Sequence, residues 1–219
     1  IGWLAREGSA RNSKRLTRET LVMWRNLGLN TIAISAVSAR PEENAEVYLN
    51  RSGHKDYPNL AHTIAYLHEI GFTVRLCVMM KKGMVGTPDR VKELIEFCRV
   101  CEVAQLTIRP IRKPTAPTHS NDASKYVADH GIDEQKIRAI HDWIEGHGTR
   151  LMSLMHGAMG YDIDGQNVCL SDCLTIDASA DDIRTLVFYS DGRLAYDWQY
   201  DGALILRGVS EEVRAAQTN

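Results

Sequence analysis

No stretch of the 219-residue chain approaches the roughly 20 consecutive apolar residues that a membrane-spanning helix requires. Its beginning also lacks the charged-then-apolar form of a secretory leader. Charge of one sign is missing: 26 Lys and Arg against 28 Asp and Glu leave a formal net charge of -2. No basic stripe therefore offers a surface for nucleic acid or for an anionic membrane. The one local excess, Arg11, Lys14, Arg15 and Arg18, reads as a solvated helix start. Five cysteines, an odd number at scattered positions, exclude the disulfide framework of a small secreted domain and favour a reducing cytoplasm. GxSxG, the Walker A string, HExxH and a suitably flanked GxGxxG are all absent.

What is present is a chain 44% hydrophobic and 25% charged, enough to bury a sizeable core. From Thr31 to Arg112 it alternates TIAISAVS, YPNLAHTIAYLHEIGF, TVRLCVMM, TPDRVKELIEFCRV and VAQLTIRPIR. Short β-branched apolar runs alternate with segments whose apolar residues recur three and four apart, the grammar of a parallel α/β barrel or open sheet. Such folds carry their chemistry at the strand C-termini. Thr17, Thr87 followed by Pro88, and Asp133 are N-cap candidates for three of the helices. A helix beginning at Asp133 feeds TRLMSLM, read as the last barrel strand. Residues 39–56 show no periodicity and read as a long functional loop, with Tyr48, Arg51 and His54 as candidate substrate contacts. Residues 113–131 read as a second long excursion, and Asp191-Gly192 between two alternating runs predicts a β-hairpin in the tail. The chain therefore divides into a core over residues 1–157 and a C-terminal extension over 158–219.

The strand ISAVS after LGLN, the run LHEIGFTVRLCVMMKKG, then TPDRVKELIEFC and VAQLTIRPIRKP together resemble the radical S-adenosylmethionine (radical SAM) superfamily. They are similar to its fourth, fifth and sixth core strands and the helices between them, over roughly residues 17 to 115. The fold class expected is α/β, a partial (β/α) barrel of radical SAM type, N-terminally truncated, with a C-terminal antiparallel hairpin. The family's CxxxCxxC loop, whose thiolates hold a four-iron four-sulfur (4Fe-4S) cluster, is absent here. Ile1, Gly2 and Trp3 look like the exit from the third strand, so the cluster ligands and a Gly-Gly-Glu segment are expected upstream of residue 1.

The resemblance implies S-adenosylmethionine (SAM) as cofactor and a flavodoxin or ferredoxin as reductant. It assigns Ser35, with Ser38 as a neighbouring possibility, to contact the SAM ribose or carboxylate. Arg75 and Arg109 are charges inside apolar strands, and burying them requires partners: the carboxylate of SAM or substrate, or an acid elsewhere in the barrel. His156 ends the strand LMSLMHG at the functional edge and reads as a ligand contact or as a structural histidine. Cys169 and Cys173 lie in what reads as a polar connection after the last barrel strand. They are candidate ligands of an auxiliary cluster, although two thiolates are too few alone. Cys98, Cys101 and Cys77 read as core thiols. The alternative function is a cluster-free α/β binding or accessory module.

Overall fold

The computed structural model describes residues 17–49, 57–111, 126, 128–154, 157–171, 186–189, 192–196 and 202–207. Helix α1 (Arg18–Asn26) precedes strand β1 (Thr31–Ala36), followed by α2 (Pro41–Tyr48), α3 (Leu60–Glu69), β2 (Thr73–Met80), α4 (Pro88–Val100) and β3 (Gln105–Pro110). Then come α5 (Glu134–His147), β4 (Thr149–Ser153), β5 (Met159–Ile163) and β6 (Gln166–Leu170). Side chains start the helices where the sequence placed caps. Thr17, Thr87 and Asp133 each accept a hydrogen bond from the backbone N–H three residues on, and Pro88 takes the first position of α4, where no partner for its nitrogen is needed.

One helix was not expected. Within the stretch read as an aperiodic loop, Pro41 starts α2, with Glu42 and Glu43 favourably placed in its first turn. Its single fully buried residue is polar, Asn44, so no apolar stripe announces the helix.

The six strands form one sheet in the order β1-β2-β3-β6-β5-β4. Strands β1, β2, β3 and β6 run parallel, and β5 is antiparallel to both of its neighbours. The sheet is open, a partial barrel and not a closed one. Its right-hand half corrects the sequence reading. The supposed polar connection around Cys169 is strand β6, paired directly with β3, and TRLMS is displaced to the far edge as β4, exposed along its whole length. A tight turn makes this possible: Asp164 and Gly165 both hold positive φ, +52° and +84°, and the Asp162 carboxylate accepts the Gly165 N–H at 3.1 Å. Two successive positive φ values match the right-handed twist of a hairpin.

One face of the sheet carries the core. Ile34, Leu76, Ile108 and Val168 meet Ile64 and Leu67 of α3, Leu94 and Ile95 of α4, and Ile140 and Ile144 of α5. The chain separates into two compact units, the second comprising residues 113–125 and 175–219. Its described part is a three-stranded antiparallel sheet of β7 (Val187–Phe188), β8 (Leu194–Ala195) and β9 (Leu204–Leu206). The expected hairpin is there: Tyr189 N–H donates to the Arg193 carbonyl at 2.9 Å, and Gly192 holds φ +86°. Among the described residues no helix is long and apolar enough to cross a membrane.

Candidate functional site

Strand alternation places every odd-numbered residue of β1, β2 and β3 on the face opposite the helices. Register then sets these residues in rows across the sheet. One row runs Ser35, Cys77, Thr107, Cys169, Gly160, Met152, one residue from each strand in spatial order. Its first five members are small, so they form a low floor. Burial is deepest in its middle: Ser35 is exposed, Cys77 half-buried, Thr107 2% and Cys169 4% exposed, and Met152 at the far edge is exposed again.

Polar side chains flank the floor on both sides. Toward the strand N-termini, Arg75 donates through Nη2 to Gln105 Oε1, and Gln105 Nε2 donates to Asn167 Oδ1 at 2.9 Å. This ladder holds the Arg75 guanidinium through an amide, with no carboxylate partner among the described residues. Toward the C-termini stand Met79 and Arg109, register partners on β2 and β3, both exposed. Arg109 has no hydrogen-bond or ion-pair partner among the described residues. Among the described residues the face therefore carries two cations without a carboxylate partner, separated by about 13 Å along the strand direction at roughly 3.3 Å per residue. An anion is the complement of such a surface.

The loops at the strand C-termini are tied down from below. Asn44, fully buried, accepts from Val37 N–H at 2.9 Å and donates to the carbonyls of Ser38 at 2.8 Å and Arg40 at 2.9 Å. Ser38 is buried and its Oγ accepts from Arg40 N–H at 3.1 Å and from Arg90 Nη2 at 3.4 Å. Nearby is a cleft of about 400 Å³ lined by Arg40, Glu43, Lys82, Arg90 and Lys136 among others. Its charges largely cancel: Arg90 pairs with Glu43 and Glu93 at 2.6 Å each, Arg40 with Glu93 at 2.9 Å, and Lys136 with Asp133 at 3.1 Å. Burial alone would raise the Glu93 carboxyl, but the hydrogen bond from Arg40 and the charge of Arg90 hold it below the ordinary range. Lys81, 3% exposed at the end of β2, pairs with Glu46 at 3.1 Å.

Comparison with solved structures locates this architecture. The fold is similar to that of Streptococcus suis SuiB. The likeness has a TM-score of 0.50 at 12% identity, spans 91% of this chain and 45% of the length of SuiB, and at that identity bears on the fold alone. No family model and no curated protein matches the sequence.

Of the residues singled out in the sequence, Ser35, Arg75, Arg109 and Cys169 thus share one face, while Ser38 lies in the loop past β1, engaged with Arg40 and Arg90. Arg51, His54, His156 and Cys173 lie outside the described residues. Among the described residues no three His, Cys, Asp or Glu side chains come together to hold a metal. Cys77 and Cys169 sit two strands apart, about 10 Å at the usual strand spacing, too far to share one iron. Cys98 is fully buried, and burial, with Cys101 beside it, pushes its thiol up, so this CxxC is a pair of core thiols. Thr107, Gln105 and Asn167 went unnoticed in the sequence; alternation within VAQLTIRP could have flagged the first two, but nothing local marks Asn167 as their neighbour.

Tyr48 stacks on Tyr57 with ring centroids 5.8 Å apart. Burial, with Tyr57 and Tyr126 beside it, pushes the Tyr48 phenol up to about 12, and burial raises Tyr57 as well. Because the folded-state values lie above the unfolded value near 10, this contribution to stability is fully present below about pH 10 and is lost as pH rises toward 12. A phenolate absorbance titration is expected to show late-titrating tyrosines, one fewer in Tyr48→Phe, whose melting temperature should also fall less steeply above pH 10.

Proposed function

We propose that this chain is the portion of a radical SAM enzyme that presents the ligand-facing sheet, and that its second face binds SAM. The observation that carries this is the convergence of Ser35, Arg75 and Arg109, from three strands, on one face with the Arg109 charge uncompensated. The fold likeness to SuiB accords with the partial-barrel architecture this reading requires. When bound, SAM supplies a 5′-deoxyadenosyl radical on reductive cleavage at a 4Fe-4S cluster. The described residues do not fit that cluster. They do fit an amino-acid carboxylate and a ribose: Arg109 is placed to pair with the carboxylate, Ser35 to bond a hydroxyl, and Gln105 to hold Arg75 toward a second anionic group. His156, Arg51 and His54 are assigned to substrate and Cys169 with Cys173 to an auxiliary cluster, on the resemblance alone. A reducing cytoplasm and a flavodoxin- or ferredoxin-type reductant follow from the reading.

Binding is the proper readout for this chain, which lacks CxxxCxxC. S-adenosylhomocysteine titrated calorimetrically into the wild-type chain is expected to bind, and Arg109→Gln to weaken it about 10- to 100-fold, the worth of a charge-assisted hydrogen bond of about 1.5–3 kcal/mol. Equal affinity in the two proteins would overturn the assignment and leave the cluster-free binding module as the better account.

A further inference from the structure

Among the described residues, three buried polar side-chain atoms find no hydrogen-bond partner: Thr107 Oγ1, Tyr126 OH and His141 Nε2. Thr107 stands apart because of where it sits. Leu106 and Ile108 on either side of it belong to the helix-covered core at 0% exposure, so alternation points Thr107 to the other face. There it occupies the middle of the small-residue floor, between Cys77 and Cys169. At 2% exposure its hydroxyl has given up water without gaining a partner, a cost a fold rarely retains without use. Valine would fit the same strand position without that cost, having the same shape and a higher preference for strands.

We propose that Thr107 is a ligand-anchoring residue, its hydroxyl held for a hydrogen bond to a small molecule whose carboxylate meets Arg109. The two side chains lie on the same face of β3 two residues apart, about 7 Å along the strand. The class of ligand is therefore a carboxylate with a second polar atom within one short chain of it, the chemistry of an amino-acid moiety. That moiety belongs to SAM or to a separate amino-acid-like substrate. The inference deepens the proposed function and rests on it for the role of Arg109.

The test compares wild type, Thr107→Val and Thr107→Ser in thermal unfolding and calorimetry, with S-adenosylhomocysteine, 5′-methylthioadenosine and L-methionine as probes. Unliganded Thr107→Val is expected to melt about 3–6 °C higher than wild type, because an unsatisfied buried hydroxyl is gone. It should bind the carboxylate-bearing probes at least tenfold more weakly, with Thr107→Ser keeping most of the affinity. Gain in stability with loss of binding is a combination that a purely structural threonine cannot produce. If S-adenosylhomocysteine binds wild type and Thr107→Val equally, the anchor is wrong and the SAM reading stands. If only L-methionine binds, and does so through Thr107, the anchor stands and the SAM reading falls. If none of the three probes binds wild type, both fall.

Discussion

Asn44→Ala is expected to lower the melting temperature by roughly 6–12 °C, equivalent to about 3 kcal/mol at 2–4 °C per kcal/mol for a chain of this size. The side chain is fully buried and makes three hydrogen bonds, one accepted and two donated, all to backbone groups of the loop between β1 and α2. Truncation removes those bonds, and leaves the Val37 N–H and the Ser38 carbonyl wanting partners in a site closed to water. Each such group costs on the order of 1 kcal/mol or more. Because that loop carries the strand's C-terminal edge, the variant should also weaken any ligand that reaches Ser35. Asn44→Asp distinguishes the mechanism. It keeps the acceptor for Val37 but replaces both donors with a buried negative charge, and should be no better than alanine by circular dichroism melts. An Asn44→Ala protein melting within 2 °C of wild type would show that the loop holds itself.

The largest expected effect comes from the sheet's two faces. Leu76 and Cys77 are neighbours in β2, yet Leu76 is at 0% exposure among the helices while Cys77 is half-buried on the opposite face. Leu76→Ala should cost about 3–4 kcal/mol, the sum of lost transfer free energy and the cavity left between α3 and the sheet. Cys77→Ala removes one sulfur from a shallow floor and should cost less than about 1 kcal/mol. Urea midpoints measured at constant slope give both numbers. Similar losses at the two positions would mean that the second face is packed as tightly as the first, and would remove the case for a binding floor.

Much of the framework was legible in the residues. Thr17, Thr87 with Pro88, and Asp133 marked helix starts because capping is a bond between residues three apart. Asp191-Gly192 marked the hairpin because turn geometry depends on a positive φ that few residues accept. Arg75 and Arg109 stood out because a charge inside an apolar strand must face away from the core. The Asp164-Gly165 turn carries the same signal, but the strands beside it are disguised by polar residues on both faces: Asp162 and Asn167 on the polar face, and Gln166 on the core face, where it is buried and donates through Nε2 to the Val103 carbonyl. Helix α2 gave no periodic signal, being held by one buried amide and not by an apolar stripe.

What the sequence by itself determined is therefore the set of elements whose defining interactions are local: caps, tight turns, and the alternation that assigns each strand residue to one face or the other. Only the tertiary structure decided that β6 lies against β3 and that β4 is driven to the edge. That choice joins Ser35, Cys77, Thr107 and Cys169, drawn from positions up to 134 residues apart, into one row. The physical reason is that strand neighbours are chosen by ladder hydrogen bonds that any residue can make. Lateral order is settled by which helix faces can bury together against the sheet, a non-local sum that no short window of residues contains.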